Sequence, residues 1–189
     1  RLGLLQLEMG RFQDAIACYD KALDLDSSNP KIWMSKGFAM EKQGLLEEAV
    51  SSYDRAIGLD SNEKEAWKAK GQALSALGRA EQALRCFDHA LSIDPYFEAA
   101  GEGRKQAEED IRKNKIEDYS RSVLEFEYAN GRPVTKEEAF RVCGIPYAFL
   151  GDVLEFLSGK PEVSLSGMTK DEFARYEKMS REILVNAME

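Results

Sequence analysis

Imidazole and thiol groups are scarce in this 189-residue chain: one histidine, His89, and three scattered cysteines, Cys18, Cys86 and Cys143. The cysteine count is odd, no two are close and no CxxC occurs, which argues against a disulfide framework and a zinc site. Reduced, buried thiols of a cytoplasmic protein are the expectation. Cys86 and His89 share one helix face by spacing, but a Cys–His nucleophile needs a pocket and a third orienting group. Neither is suggested by Arg85, Phe87 or Asp88, so His89 reads as a surface histidine. No Gly-rich phosphate loop, GxSxG elbow or HExxH pattern is present. Carboxylates abound, yet runs such as Glu108-Glu109-Asp110 read as solvated helix faces, not as acids in a pocket that shifts their pKa. No enzymatic activity, catalytic residue, cofactor or metal is expected. Long apolar runs are also lacking, which excludes a transmembrane helix, and no basic-then-apolar leader opens the chain. Cations are outnumbered: Lys and Arg total 26 against 34 Asp and Glu, a net charge of −8. Such a chain does not bind the phosphate backbone by default, so nucleic acid is not an expected partner.

What the chain does have is a period of 34 residues. Gly10, Gly44 and Gly78 lie on it, as do Gly3, Gly37 and Gly71. Ala15, Ala49 and Ala83 follow, then Tyr19, Tyr53 and Phe87, then Ala22, Ala56 and Ala90, with Asp26, Asp60 and Asp94 closing each unit. Trp33 and Trp67 keep the same spacing. Gly44 can take a positive φ and end a helix begun before Gly37. Ala49, Tyr53 and Ala56 then share one face of the next helix. Small residues let two helix backbones approach, and the aromatic fills the gap beside them. One such hairpin cannot bury its apolar face alone, so neighbours must stack.

These residues resemble the tetratricopeptide repeat, a helix–turn–helix unit of the same period. The family pattern is met by Trp67, Gly71, Leu74, Ala83, Phe87, Ala90 and Pro95, and in the middle unit by Trp33, Gly37, Met40, Ala49, Tyr53 and Ala56. The middle unit departs at Ser61, where the family has proline. Lys36 and Lys70 replace an apolar residue, so their stems must lie along the helix while the charge is lifted out. Gln6 stands where the family has an aromatic and the later units have Met40 and Leu74. The resemblance covers residues 1–97. Arg1 falls inside a helix of the first unit, and the chain is expected to be an N-terminally truncated piece of a longer protein.

The period stops after Pro95, with Gly101 and Lys105 where a further Trp and Gly would fall. Residues 96–112 read as a capping helix, its stripe formed by Tyr96, Phe97, Ala100, Arg104, Ala107 and Ile111. No Pro or Gly interrupts the chain from there to Gly131, so that helix can run on through 112–116. A second stripe follows at Ile116, Tyr119, Val123, Leu124 and Phe126. Thr135 with Glu138 forms a capping-box pair opening a short helix to Val142. Gly144-Ile145-Pro146 is a turn, and a further helix covers Tyr147 to Leu157. Glu162 to Ser166 alternates like a strand or extended arm, and Thr169 with Glu172 opens a last helix. The expected architecture is all-α: an α-solenoid of about three tetratricopeptide hairpins with a capping helix over 1–112, then a small helix-turn-helix-like unit over 113–189. That second unit is similar to a winged-helix domain. Its would-be recognition helix carries Asp152 and Glu155 and no basic residue, which argues for protein contact over DNA. Tyr147, Phe149 and Phe156 form its candidate second contact or homodimer patch.

In the resemblance, the first helix of each unit lines a concave groove. The facing residues are Leu4, Leu7 and Glu8; then Lys31, Met34, Phe38, Glu41 and Lys42; then Glu65, Lys68, Gln72 and Ser75. Leu4, Leu7, Met34 and Phe38 suit apolar side chains, and Lys31, Lys42 and Lys68 suit acidic groups of a peptide. Tetratricopeptide co-chaperones grip the terminal carboxylate of chaperone peptides with Lys, Asn and Arg. The matching positions hold Leu4, Ser35, Glu65 and Ala69, so chaperone tails are not expected ligands. The resulting expectation is a scaffold that binds a protein or peptide in the groove. The alternative is a transcription regulator with a tetratricopeptide sensor and a DNA-binding helix-turn-helix.

Overall fold

The computed structural model describes residues 1–132 and 134–159. It divides into a unit of Arg1–Ile111 and a second unit beginning at Arg112. The first unit holds three helical hairpins: α1 (Leu2–Glu8) with α2 (Phe12–Leu25), α3 (Pro30–Lys42) with α4 (Leu46–Leu59), and α5 (Lys64–Ala76) with α6 (Ala80–Ile93). A long helix, α7 (Glu98–Asn130), follows, and its early turns belong to this unit. No strand occurs among the described residues.

The glycine columns have two separate causes. Gly10, Gly44 and Gly78 end α1, α3 and α5 with φ of 71°, 84° and 74°, a backbone state that disfavours side chains. Gly3, Gly37 and Gly71 are helical and serve packing instead. A Cβ at Gly37 would lie 2.7 Å from Tyr53 Cε1, and at Gly3 or Gly71 it would lie 2.8 Å from Cε1 of Tyr19 or Phe87. Each aromatic ring therefore rests on bare backbone of its partner helix. Tyr53 and Phe87 are fully buried there, beside Ala49 and Ala83. Burying a side chain of this size stabilises by roughly 2–3 kcal/mol.

The turns that link one hairpin to the next repeat as well. Asp26, Asp60 and Asp94 each accept a backbone N–H two residues on, at 3.0–3.1 Å, the Asx geometry that reverses the chain. Trp33 and Trp67 each donate their indole N–H to the carbonyl of Ser27 or Ser61, at 2.9 and 3.0 Å. Pro30 opens α3 at its first turn, and Asn29 caps it by accepting from the Lys31 N–H at 3.1 Å.

Lys36 and Lys70 are not lifted into solvent. Lys36 Nζ lies 2.6 Å from Asp20 Oδ1 and Lys70 Nζ 2.5 Å from Asp54 Oδ1. Arg104 Nε lies 2.8 Å from Asp88 Oδ1. These six residues fall on the same 34-residue period. Each pair ties the second helix of one hairpin to the helix that follows it.

Arg104 belongs to a continuation of the repeat beyond Pro95, which corrects the expectation that the period ends there. Ala100, Gly103, Arg104 and Ala107 occupy the places held one repeat earlier by Ala66, Ala69, Lys70 and Ala73. Ala66, Ala73, Ala100 and Ala107 are all fully buried, and a Cβ at Gly103 would lie 2.5 Å from Phe87 Cε1. What ends is the second helix of the hairpin. The aromatic position is taken by Arg121, so Lys105 has no ring to admit and no need to be glycine.

The second unit contains the later turns of α7, then α8 (Lys136–Arg141) and α9 (Tyr147–Gly159). Gly131, at φ 64°, ends α7. The expected capping box is present: Thr135 Oγ1 accepts from Glu138 N–H and the Glu138 carboxylate accepts from Thr135 N–H. Arg132 also pairs with Glu138, donating from Nη1 and Nη2 to the two carboxylate oxygens. Together these hold the Glu138 carboxyl down at about 2. Val123, Val134, Ala139, Ile145 and Val153 form the core. Glu127 is buried in this unit and accepts the Val134 N–H at 3.0 Å. The strand or arm expected at Glu162 to Ser166 and the last helix from Thr169 lie outside the described residues.

Candidate functional site

The 34-residue period presents the same faces of α1, α3 and α5 side by side. Positions spaced three and four apart on each helix then line one open cavity of about 430 Å³. Leu4, Leu7 and Glu8 come from α1, and Met34, Ser35, Phe38 and Glu41 from α3. Glu65, Lys68, Ala69 and Gln72 come from α5, while Tyr53 reaches in from α4. Of the twelve residues expected to face the groove, nine border this cavity. Lys31, Lys42 and Ser75 do not. Ser35, Ala69 and Tyr53 are the additions. Ser35 and Ala69 hold the place on the period that Gly103 holds later, where Phe87 of the preceding hairpin packs.

Phe38 is the most conspicuous side chain of the lining, 45 % exposed. The Lys42 ammonium stands over its ring, 5.0 Å from the centroid. Met34, Leu7 and Leu4 extend the apolar surface. Tyr53 donates its hydroxyl to Glu41 Oε2 at 2.9 Å. Burial and the Glu41 carboxylate both push the Tyr53 phenol upward, so it stays a donor. Lys68 Nζ lies 2.8 Å from Glu65 Oε2 and 5.8 Å from the Phe97 ring centroid. It is therefore not the unengaged cation that its sequence position suggested. Leu4, Ser35, Glu65 and Ala69, the positions matching the carboxylate grip of co-chaperones, all border the cavity. None carries a cation.

The residues weighed for chemistry are engaged in packing. Cys86 is buried, and burial pushes its thiol upward, away from the reactive thiolate. His89 is exposed and stacks on Trp67 with ring centroids 4.4 Å apart. No group of three metal-ligating side chains occurs among the described residues. Likewise, no helix among them is long and apolar enough to cross a membrane.

In the second unit, Phe149 packs edge to face on Tyr119, with centroids 5.5 Å apart, against that unit's core. It is half-buried. Phe156 is half-buried too. Tyr147 opens α9, but its side chain lies outside the described residues. Asp152 of α9 accepts two hydrogen bonds from Arg112, at 2.5 and 3.2 Å.

The stacked hairpins and the cavity along their first helices define an α-solenoid. Residues 1–64 and 64–97 match the family described as Tetratricopeptide repeat, and the chain belongs to that family. Its modules are non-catalytic interaction domains. Among solved structures, the first TPR of Spaghetti (RPAP3), bound to the HSP90 peptide SRMEEVD, is similar at 24 % identity with a TM-score of 0.56. The match covers 58 % of this chain and 86 % of that one. The second TPR domain of human RPAP3, in complex with the HSP70 peptide SGPTIEEVD, is 25 % identical, covering 56 % and 88 % with a TM-score of 0.55. PcrH in complex with the chaperone binding region of PopD is 21 % identical, covering 60 % and 88 % with a TM-score of 0.54. No curated protein matches the chain.

Proposed function

We propose that this protein is a non-enzymatic scaffold whose tetratricopeptide array binds a peptide segment of a partner protein in the cavity along α1, α3 and α5. The observation that carries this reading is Phe38. A phenyl ring 45 % exposed inside a 430 Å³ cavity contributes little to folding, and large aromatics in such clefts commonly anchor partners. The RPAP3 domains, solved with peptides, and PcrH, solved with a region of PopD, support the reading by analogy. The unit beginning at Arg112 supplies a second contact or a homodimer interface, and the site of action is the cytoplasm.

The test is a pull-down with wild type and Phe38→Ala as baits. The expected outcome is at least one protein retained by wild type and lost with Phe38→Ala, while both baits give the same circular dichroism. Equal recovery by the two would overturn the groove as the binding site. Sedimentation of the full chain tests the second contact: a monomer at all concentrations removes the dimer.

A further inference from the structure

The cavity's charge balance points to the chemistry of its occupant. Resting on the reading that a peptide binds there, we propose that the occupant carries a Lys or Arg beside an apolar side chain, and that acidic and carboxylate-terminated peptides are rejected. Three carboxylates, Glu8, Glu41 and Glu65, border the cavity against one ammonium, Lys68. That ammonium is already matched by Glu65 at 2.8 Å. The two other lysines once expected to meet an acidic ligand lie outside the lining. Of these, Lys42 is turned onto the face of Phe38, so the balance stays negative even when it is counted.

Glu8 and Glu41 make no ion pair among the described residues. Glu41 receives only the neutral Tyr53 hydroxyl on Oε2, which leaves its second oxygen for a cationic donor. They stand on neighbouring helices, α1 and α3, in the same lining as Leu4, Leu7, Met34 and Phe38. An alkyl or aromatic side chain in the apolar part would bring an adjacent Lys or Arg of an extended peptide toward these carboxylates. A cleft with low-dielectric walls strengthens the preference for one sign of charge. For a terminal carboxylate the same surface is repulsive, because Leu4, Ser35, Glu65 and Ala69 offer no cation, Lys68 is already paired with Glu65, and Glu8 and Glu41 carry the same sign of charge.

The experiment pans a random dodecapeptide library, displayed with free C termini, on the full chain, with counter-selection on Phe38→Ala. Expected are Phe38-dependent clones enriched in Lys or Arg next to aliphatic or aromatic residues. A synthetic peptide of the leading clone should lose about tenfold in affinity on Glu8→Lys/Glu41→Gln, as two partly exposed ion pairs predict. Glu41→Gln keeps an oxygen for Tyr53, and matched circular dichroism certifies the variant's fold. Phe38-dependent clones rich in Asp and Glu, or selected for a free carboxyl end, would leave the cavity as a peptide site and overturn the basic-ligand proposal. Basic clones that bind Phe38→Ala equally would also overturn it, because charge alone would then hold them at the surface. A library with no Phe38-dependent clone would sink the cavity reading and this proposal together.

Discussion

Three glycines of one hairpin give the sharpest test of how the array is held together. Gly37, Gly44 and Gly58 each receive the same substitution, alanine, and the structure assigns each a different outcome. A Cβ at Gly37 would meet three Tyr53 ring atoms at 2.7, 2.9 and 3.1 Å, well inside the 3.5–4.0 Å optimum for carbon pairs. The side chain is 1 % exposed and its hydroxyl is held by Glu41, so the ring has little room to step aside. Overpacking of this kind costs about 1–3 kcal/mol, offset by about 1 kcal/mol of helix propensity. Contacts this short fall in the upper half of that range, so Gly37→Ala should lose about 1–2 kcal/mol net. At Gly44 nothing lies within 4 Å, but φ is 84°; the backbone alone should cost about 1–2 kcal/mol. Gly58 is helical, exposed and open, so alanine there should gain about 0.5–1 kcal/mol.

The assay is urea denaturation followed by tryptophan fluorescence. Trp33 and Trp67 are the chain's two tryptophans, and both lie in the array, so the signal reports that unit selectively. The expected order of midpoints is Gly58→Ala, wild type, then the other two. Combining Gly37→Ala with Tyr53→Leu should recover about 1 kcal/mol relative to additivity, because the smaller side chain frees the space. The reasoning is refuted if Gly37→Ala matches wild type while Gly58→Ala behaves as stated, or if the double mutant is strictly additive.

Gln6 stands where later repeats pack Met40 and Leu74, and its Oε1 is buried without a hydrogen-bond partner among the described residues. Gln6→Met should stabilise the array by about 1 kcal/mol; an unchanged urea midpoint would show that the amide is solvated. A double-mutant cycle on Asp54 and Lys70 should give a coupling below about 1 kcal/mol that shrinks in 1 M salt, and a larger, salt-insensitive value would mean the pair is more buried than it is here. Glu138, held at about 2 against an ordinary 4.5, contributes stability that is complete above pH 4.5 and is lost as pH falls toward 2. Its side-chain carbonyl resonance should titrate with a midpoint near 2 and shift upward in Arg132→Gln; a midpoint near 4.5 in wild type would dissolve the Arg132 pairing.

Much of the array is legible in the chain because its physics is local and repeated. A glycine that ends a helix, an aspartate that turns the chain and an aromatic set against a glycine need only the near neighbours of one hairpin, so 34-residue columns carry them directly. The same logic would have found the ion-pair series, since Asp20, Asp54 and Asp88 are on the period with Lys36, Lys70 and Arg104. Taken singly, Lys36 and Lys70 are departures from an apolar column, and their partners sit one helix back. Arg104 likewise fits a capping stripe when it is taken apart from the period. There Gly103 takes the place of Ser35 and Ala69, so the column is marked by small size and not by one residue type.

The sequence by itself determined the repeat, its period and the faces that each helix turns toward its neighbours, because side-chain spacing along a helix is set by backbone geometry alone. Only the tertiary structure decided the electrical character of the cavity. Lysines and glutamates both stand along α3 and α5, and composition assigns them no partners. Their fate depends on distances across helices, where Glu65 claims Lys68 and Phe38 holds Lys42, while Glu8 and Glu41 stay at the lining without an ion-pair partner among the described residues. The same holds for Phe149, whose helical face suited either exposure or packing until Tyr119 was placed against it. Charge and aromatic surface acquire a role from what stands opposite them in space, and that information resides in the packing of helices, not in any one of them.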